Sequence, residues 1–462
     1  MAEAQAKFLT GNLFGHVTTM SLTASVGLVA VFLVDLIDMI FISMLGQAEL
    51  AAAVGYAGAV LFFTTSFGIG MAIAAGALVA RSLGAGDEDL ARARASHVLV
   101  FSVGFGAVFA AAVWLAVPFL VDLLGAEGLT ADLAVHYLRI IVPSLPLLMV
   151  GMVGGAILRA HGDARRAMMA TIWGGLVNAV LDPILIFGLG LDLTGAALAS
   201  VAARITIGAV ALLPILKHHG GLDRPTMAGL KGDLSPVVAI AGPAILTQLA
   251  TPIGQAYVTR AMAGFGEGAV AGMAMVGRLT PVAFGVIFAL SGAVGPIIGQ
   301  NYGAGQPGRV VGAFRAGLVF TGLYVVAAAL ILFLLRVPIA DLFNASDQAR
   351  ELLYLFCGPL ALVFFFNGAL FVANAGFNNL GHPFYSTWLN WGRHTLGTIP
   401  PVILFAAWLG APGVLIGQAV GGVVFGVLAW VLAERLMKRQ DLPPVAKDRF
   451  STRVFSMLYH RR

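Results

Sequence analysis

Apolar residues along this chain gather in runs of about 20 or more, and polar residues fall between the runs rather than alternating within them. Punctuated by Gly, Pro and charge, the runs predict twelve helices, near 20–44, 50–80, 95–122, 131–158, 168–190, 194–216, 236–264, 269–299, 310–338, 350–377, 385–408 and 412–437. Nearly all are long enough to cross the hydrocarbon core of a bilayer. No window shows the alternating ~10-residue segments of a membrane barrel. The expected fold class is therefore an all-α polytopic membrane protein with short loops.

Composition agrees: 59% of the 462 residues are hydrophobic, 11% are charged, and the mean hydropathy is +0.92. The single Cys357 excludes an internal disulfide and any CxxC metal site. The first 19 residues carry only Lys7 as a base, unlike a cleaved signal peptide, so the first apolar run is expected to stay as a helix. Charge then orients the bundle. The N-terminus, the even-numbered loops and the tail carry Lys7, Arg81, Arg92, Arg94, Arg159, Arg165, Arg166, Lys217, Arg224, Lys231, Arg309, Arg315, Arg435 and Lys438, followed by Arg439, Lys447, Arg449, Arg453, Arg461 and Arg462. The opposite loops are mildly acidic, with Glu49, Asp122, Glu127, Asp132, Asp192 and Glu267. Both termini are expected in the cytoplasm and the protein in the plasma (inner) membrane. The net charge of +5 is mainly topology, so no nucleic-acid partner is expected, and the basic tail is read as positive-inside sequence before it is read as a lipid-headgroup site.

An internal repeat organises the runs. Ser82-Leu-Gly-Ala-Gly86 recurs as Asn301-Tyr-Gly-Ala-Gly305, at an offset of 219. Leu45-Gly46 resembles Phe265-Gly266, His161-Gly162 resembles Leu380-Gly381, and Pro183 and Gly195 map to Pro401 and Gly413, all within a residue of that offset. The chain divides into a six-helix half (1–217), a linker (218–234), a second six-helix half (235–437) and a basic tail (438–462). Six is even, so both halves enter the membrane from the same side; the repeat is parallel, and the default substrate cavity lies between the halves.

Three acids fall well inside predicted spans: Asp35, Asp38 and Asp182. A charge at that depth is costly and needs a reason. Asp35 and Asp38 are three apart and share a face of the first helix; Asn178 and Asp182 are four apart and share a face of the fifth. If those faces meet, they make an oxygen cluster able to bind a proton or a small cation. The competing reading is local hydrogen bonding between helices, or, for Asp35, a place at an aqueous opening. In the repeat, Asp35 maps to Gln255, Asp38 to Val258, Asn178 to Leu396 and Asp182 to Pro400, so coupling is expected in the first half alone. The second half offers Gln248, Gln255, Asn367, Asn374, Asn390, Arg260, Arg278 and Arg393. Of these, Gln248, Gln255, Asn374 and Arg278 are the candidates for the cavity wall, with structural anchoring the competing role.

Intramembrane prolines such as Pro143, Pro183, Pro252, Pro281, Pro359, Pro400 and Pro401 free carbonyls and permit bends. No Gly-Lys pair exists, so the Gly-Ala-Gly loops are not phosphate cradles. No catalytic constellation lies in a span, which argues against an enzyme.

These features together resemble the multidrug and toxic compound extrusion (MATE) family: the two six-helix halves, Gly299-Gln-Asn-Tyr-Gly-Ala-Gly305, Arg81-Ser-Leu-Gly-Ala-Gly86, Asp38-Met-Ile-Phe-Ile-Ser-Met-Leu-Gly46 and Asn178-Ala-Val-Leu-Asp182-Pro. The last of these, with Leu389-Asn-Trp-Gly-Arg-His-Thr-Leu-Gly-Thr398, is similar to the DinF-like branch. The resemblance implies a monomeric, cofactor-free antiporter that exports amphipathic, often cationic compounds against H+ or Na+. It places coupling on Asp38, Asn178 and Asp182. Relatives with an acid after Gly-Arg-(apolar) differ from this chain, which has Thr280; that favours protons, with sodium at Asp38, Asn178 and Asp182 as the competing reading. The alternative function is a flippase for lipid-linked precursors, which would need a strongly basic central cavity; an intramembrane enzyme or passive channel ranks below it.

Overall fold

A computed structural model describes residues 6–345 and 347–438, apart from the side chains of Asp35, Ser43 and Ala48. The expected tail after Lys438, with Arg439 to Arg462, lies outside the described residues, as does the Asp35 side chain.

The first half comprises α1 (Leu13–Met44), α2 (Ala48–Gly84), α3 (Glu88–Leu123), α4 (Gly128–Ile141), α5 (Leu145–Ala160), α6 (Ala164–Pro183) and α7 (Asp192–His218). The second comprises α8 (Met227–Ala263), α9 (Glu267–Gly303), α10 (Pro307–Leu342), α11 (Asp347–Leu355), α12 (Ala361–Asn379), α13 (Pro383–His394), α14 (Ile399–Leu409) and α15 (Ala411–Lys438). Proline explains why twelve crossings need fifteen helices. A 3-10 turn at Val142–Ser144, beside Pro143 and Pro146, joins α4 to α5 in one crossing, and a π turn at Phe356–Leu360, around Gly358 and Pro359, joins α11 to α12. α6 ends at Pro183 and passes into a π turn at Ile184–Gly188.

Eleven crossings are long and apolar enough to span a membrane, among the described residues. The expected continuous helix at 385–408 is corrected: it is the broken pair α13 and α14, parted at 395–398. Pro400 and Pro401 occupy the first turn of α14, where their missing N–H groups cost nothing, so the helix restarts there instead of continuing. The Phe425 ring packs where a Cβ on Gly397 would lie. The predicted linker is also shorter as coil, because α8 starts at Met227, capped by Thr226 Oγ1 accepting from Gly229 N at 3.1 Å. Asp233 then straps α8 to α3 through His97 Nδ1 at 2.6 Å and Arg94 Nε at 3.6 Å.

The repeated Gly-Ala-Gly loops make equivalent turns, with Gly86 at φ +74 and Gly305 at φ +66, a region L side chains rarely adopt. Between the halves, small residues replace side-chain bulk. Gly84 of α2 lies directly under the Gln300 carbonyl of α9, and Gly303 of α9 under the Arg81 carbonyl of α2, each so close that a Cβ would overlap backbone. The two contacts are images of each other in the repeat. The halves therefore meet tightly at the face carrying the described chain ends. Toward the other face, the far half of α1 (Leu33, Leu36, Met39), the far end of α8 (Ile253, Gln255) and the start of α9 (Arg278, Val282) present exposed side chains.

Candidate functional site

α1 packs along α6, with Gly175 leaving room for Val34, and that contact brings the two sequence signals together. Asn178 Nδ2 donates to Asp182 Oδ2 at 2.8 Å and to Asp38 Oδ1 at 3.1 Å. One helical turn between Asn178 and Asp182 puts both on the face that meets α1, so a single amide holds two carboxylates. Asp182 is fully buried and Asn178 nearly so. Asp182 Oδ1 has no hydrogen-bond donor among the described residues.

Polar groups on α4 and α7 surround the pair. Tyr137 on α4, buried, lies within electrostatic range of both acids and of Arg204 on α7. Arg204 is committed elsewhere: its Nη1 donates to Ser144 Oγ at 2.9 Å and to the Ile141 carbonyl at 3.2 Å, satisfying groups freed by the α4–α5 break. The cluster is thus two carboxylates on one amide, with Arg204 engaged by Ser144 and the Ile141 carbonyl. No group of three or more His, Cys, Asp or Glu suited to a bound metal occurs among the described residues. Sequence reasoning passed over Tyr137 and Arg204; both were visible as polar residues inside the fourth and sixth apolar runs.

Among the described residues, the second half builds nothing equivalent. Val258 stands at the place of Asp38, fully buried, and Leu396 and Pro400 replace Asn178 and Asp182. Of the wall candidates, Gln255 is exposed and accepts from Gln418 Nε2 at 2.7 Å, Arg278 is exposed and Gln248 is half-buried. Asn374 is buried and accepts from Asn390 Nδ2 at 3.3 Å, a contact between α12 and α13. Arg393 is half-buried beside the 395–398 break. Arg278 lies well inside α9, whereas Arg260 and Arg393 fall in the last turns of α8 and α13.

A cation that the sequence reading assigned only to topology also reaches the boundary of the halves. Arg159, in the last turn of α5, places its guanidinium between Gly155 of its own helix and Gly292 of α9, with Nη1 and Nε 3.4 and 3.6 Å from where Cβ atoms on those glycines would sit.

Comparison with known proteins places this geometry among transporters. The MatE family model matches residues 24–184 and 243–400, one segment in each half. An FAD transporter of Shewanella oneidensis is 30% identical over 431 residues, covering 90% of this chain and 93% of its own. The multidrug export protein MepA of Staphylococcus aureus is 24% identical over 338 residues, 71% of this chain and 73% of its own. Among solved structures, a Vibrio cholerae MATE transporter superposes with a TM-score of 0.88 at 23% identity, covering 93% of this chain and 98% of that one. A MOP superfamily transporter from Pyrococcus furiosus gives 0.87 at 24% identity, with 95% and 99% covered. These two share the fold.

Proposed function

The chain belongs to the MatE family, whose members are multi-pass membrane transporters and not enzymes, and on that premise we propose that it is a proton-coupled antiporter of the plasma membrane, exporting amphipathic organic compounds. The observation that carries the reading is the Asp38–Asn178–Asp182 cluster, in which one amide holds a buried and a half-buried carboxylate of the first half. Its polarity favours a proton over sodium. Asn178 turns its NH2 group toward both carboxylates, so the amide oxygen does not face the space between them; a sodium ion would want that oxygen as a ligand. A proton needs only a carboxylate oxygen, and Asp182 Oδ1 is buried without a donor. Binding the cation neutralises the repulsion that the amide restrains, which lets the α1–α6 contact repack and biases the halves toward opening at one face. The basic face, with both termini, is the cytoplasmic one in this reading, and the halves are closed there.

Cationic amphiphiles are the leading substrate class. A second class has a specific observation in its favour. Arg159 has no hydrogen-bond or ion-pair partner among the described residues and stands at the boundary of the halves, and a second arginine, Arg278, lies inside α9. That distribution suits an anionic aromatic substrate, and a relative sharing 30% identity is an FAD transporter. Proteoliposomes separate the readings. With an imposed pH gradient, a cationic dye is expected to move against its gradient, and a sodium gradient alone is expected to fail. Movement of FAD but not of the dye, lost in Arg159→Gln, would give the anionic class. Movement driven by sodium alone would overturn proton coupling.

A further inference from the structure

At the closed face, the chain before α1 does not hang free. Phe8 is 1% exposed and sits in the seam. Its backbone N–H donates to Gln300 Oε1 at 2.9 Å, and its carbonyl accepts from Arg309 Nη2 at 2.8 Å and Asn301 Nδ2 at 3.1 Å, all in the second half. Arg309 also reaches the carbonyls of Thr10 and Gly11 at 3.2 and 3.3 Å. On the other side of the seam, Lys7 Nζ donates to the Gly162 carbonyl at 2.9 Å, and the Phe8 ring lies 3.2 Å from where a Gly162 Cβ would be.

The segment lies across a clasp made twice by the repeat. Gln300 Nε2 donates to the Ala160 carbonyl at the end of α5, 2.7 Å away. Arg81 Nε donates to the Asn379 carbonyl at the end of α12, at 2.8 Å, and its Nη2 to Asn378 at 2.7 Å. Arg81 and Gln300 are repeat partners, as are Ala160 and Asn379. Gln300 spends its amide N–H on the clasp and its oxygen on Phe8, so clasp and N-terminal segment are joined at one side chain.

We propose that residues 6–12 are a latch: inserted between the halves, they hold this face closed, and they must withdraw from one half before it opens. The inference rests on the transporter reading, since only a protein that opens this face needs a latch.

The test reads the open face directly and does not depend on which ion couples. In a background lacking the single cysteine (Cys357→Ala), Ala80→Cys reports on the seam, because Ala80 is fully buried against Gly299 of the other half. An impermeant maleimide is applied to this face in inside-out vesicles. Phe8→Ala removes the buried ring and Arg309→Gln removes the clamp on the segment's carbonyls; each is expected to raise the labelling rate about tenfold or more, while Phe8→Leu stays near wild type. Unchanged labelling in both variants overturns the latch, even if coupling by the acids stands. Hydrogen exchange at 299–303 in the protein without the reporter reads the same opening, faster exchange in Phe8→Ala supporting the latch and equal exchange refuting it.

Discussion

Asp182→Asn tests the proposed coupling site most sharply. The side chain is fully buried, accepts one hydrogen bond from Asn178 at 2.8 Å, and keeps its second oxygen without a donor. Asparagine matches its shape and removes its charge. With one cation exchanged per substrate, a gradient of one pH unit is worth about 1.4 kcal/mol and supports up to about tenfold accumulation. The variant is expected to fall to a ratio of about 1. Removing a buried charge that lacks full hydrogen bonding should not destabilise the fold; at this chain length a gain of ~1 kcal/mol raises the melting temperature by ~1 °C. The assay is dye accumulation in proteoliposomes, paired with counterflow, in which labelled substrate exchanges without any cation gradient. Counterflow is expected to survive in Asp182→Asn and Asp38→Asn, showing that substrate still binds and crosses. Tenfold accumulation in both variants would refute the reasoning.

Other outcomes follow from local geometry. Gly84→Ala puts a methyl group into the Gln300 backbone and should cost about 1–3 kcal/mol of the closed state, read as faster seam labelling; Gly104→Ala, with open space around it, should change nothing. Asp233→Asn weakens the strap to His97 and Arg94 and should lower thermal stability by about 1–3 kcal/mol, read by thermal unfolding in detergent. At the loop between α5 and α6, His161 stacks on His219 at 4.5 Å, and burial together with that neighbour pushes its pKa down to about 4, against the pull of Asp163. Asp163 is held below the usual carboxylate range: burial works against this, but hydrogen bonds from His219 and Arg166 outweigh it. Both groups are depressed in the fold, so both contribute stability at neutral pH that is lost on acidification. The His161 share should fall between pH ~6.5 and ~4 by at most about 1.4 kcal/mol per unit, and His161→Gln should flatten that part of a melting profile.

Much of this molecule is visible in its sequence because a bilayer tolerates few structures. Apolar runs become helices, and a buried Asp182 one turn from Asn178 needs a hydrogen-bond donor, which is the Asn178 amide that also donates to Asp38. The break at 395–398 was less legible: Leu396 continues the apolar run, and only the Pro400–Pro401 pair signals that a helix starts anew. The seam was least legible. Arg81 and Arg159 look like ordinary positive-inside residues, and Gln300 like loop polarity, because their meaning depends on carbonyls almost three hundred residues away for Arg81 and 140 for Gln300. The repeat aligned Arg81 with Gln300, but alignment says that two residues are equivalent, not that each grips the opposite half.

Symmetry at the seam and asymmetry at the centre have one element in common. The clasp is duplicated, so it can release on both sides of the pseudo-two-fold in one rocking motion of the halves. The carboxylate cluster is not duplicated among the described residues, and α1 is the helix that touches both features. Near its start Leu13 packs against Gly312 of α10 just after the latch, while Asp38, about 38 Å further along at 1.5 Å per residue, meets Asn178. Between them α1 is tied to α6, with Gly27 against Thr171. A change in charge at Asp38 therefore acts on a helix whose other end borders the latch, and no separate wire is needed. Labelling of Ala80→Cys should then depend on pH in the otherwise intact chain, and Asp38→Asn should abolish that dependence while Phe8→Ala raises the rate at every pH. If Asp38→Asn leaves the pH dependence intact, α1 does not carry the signal, whatever the cluster binds.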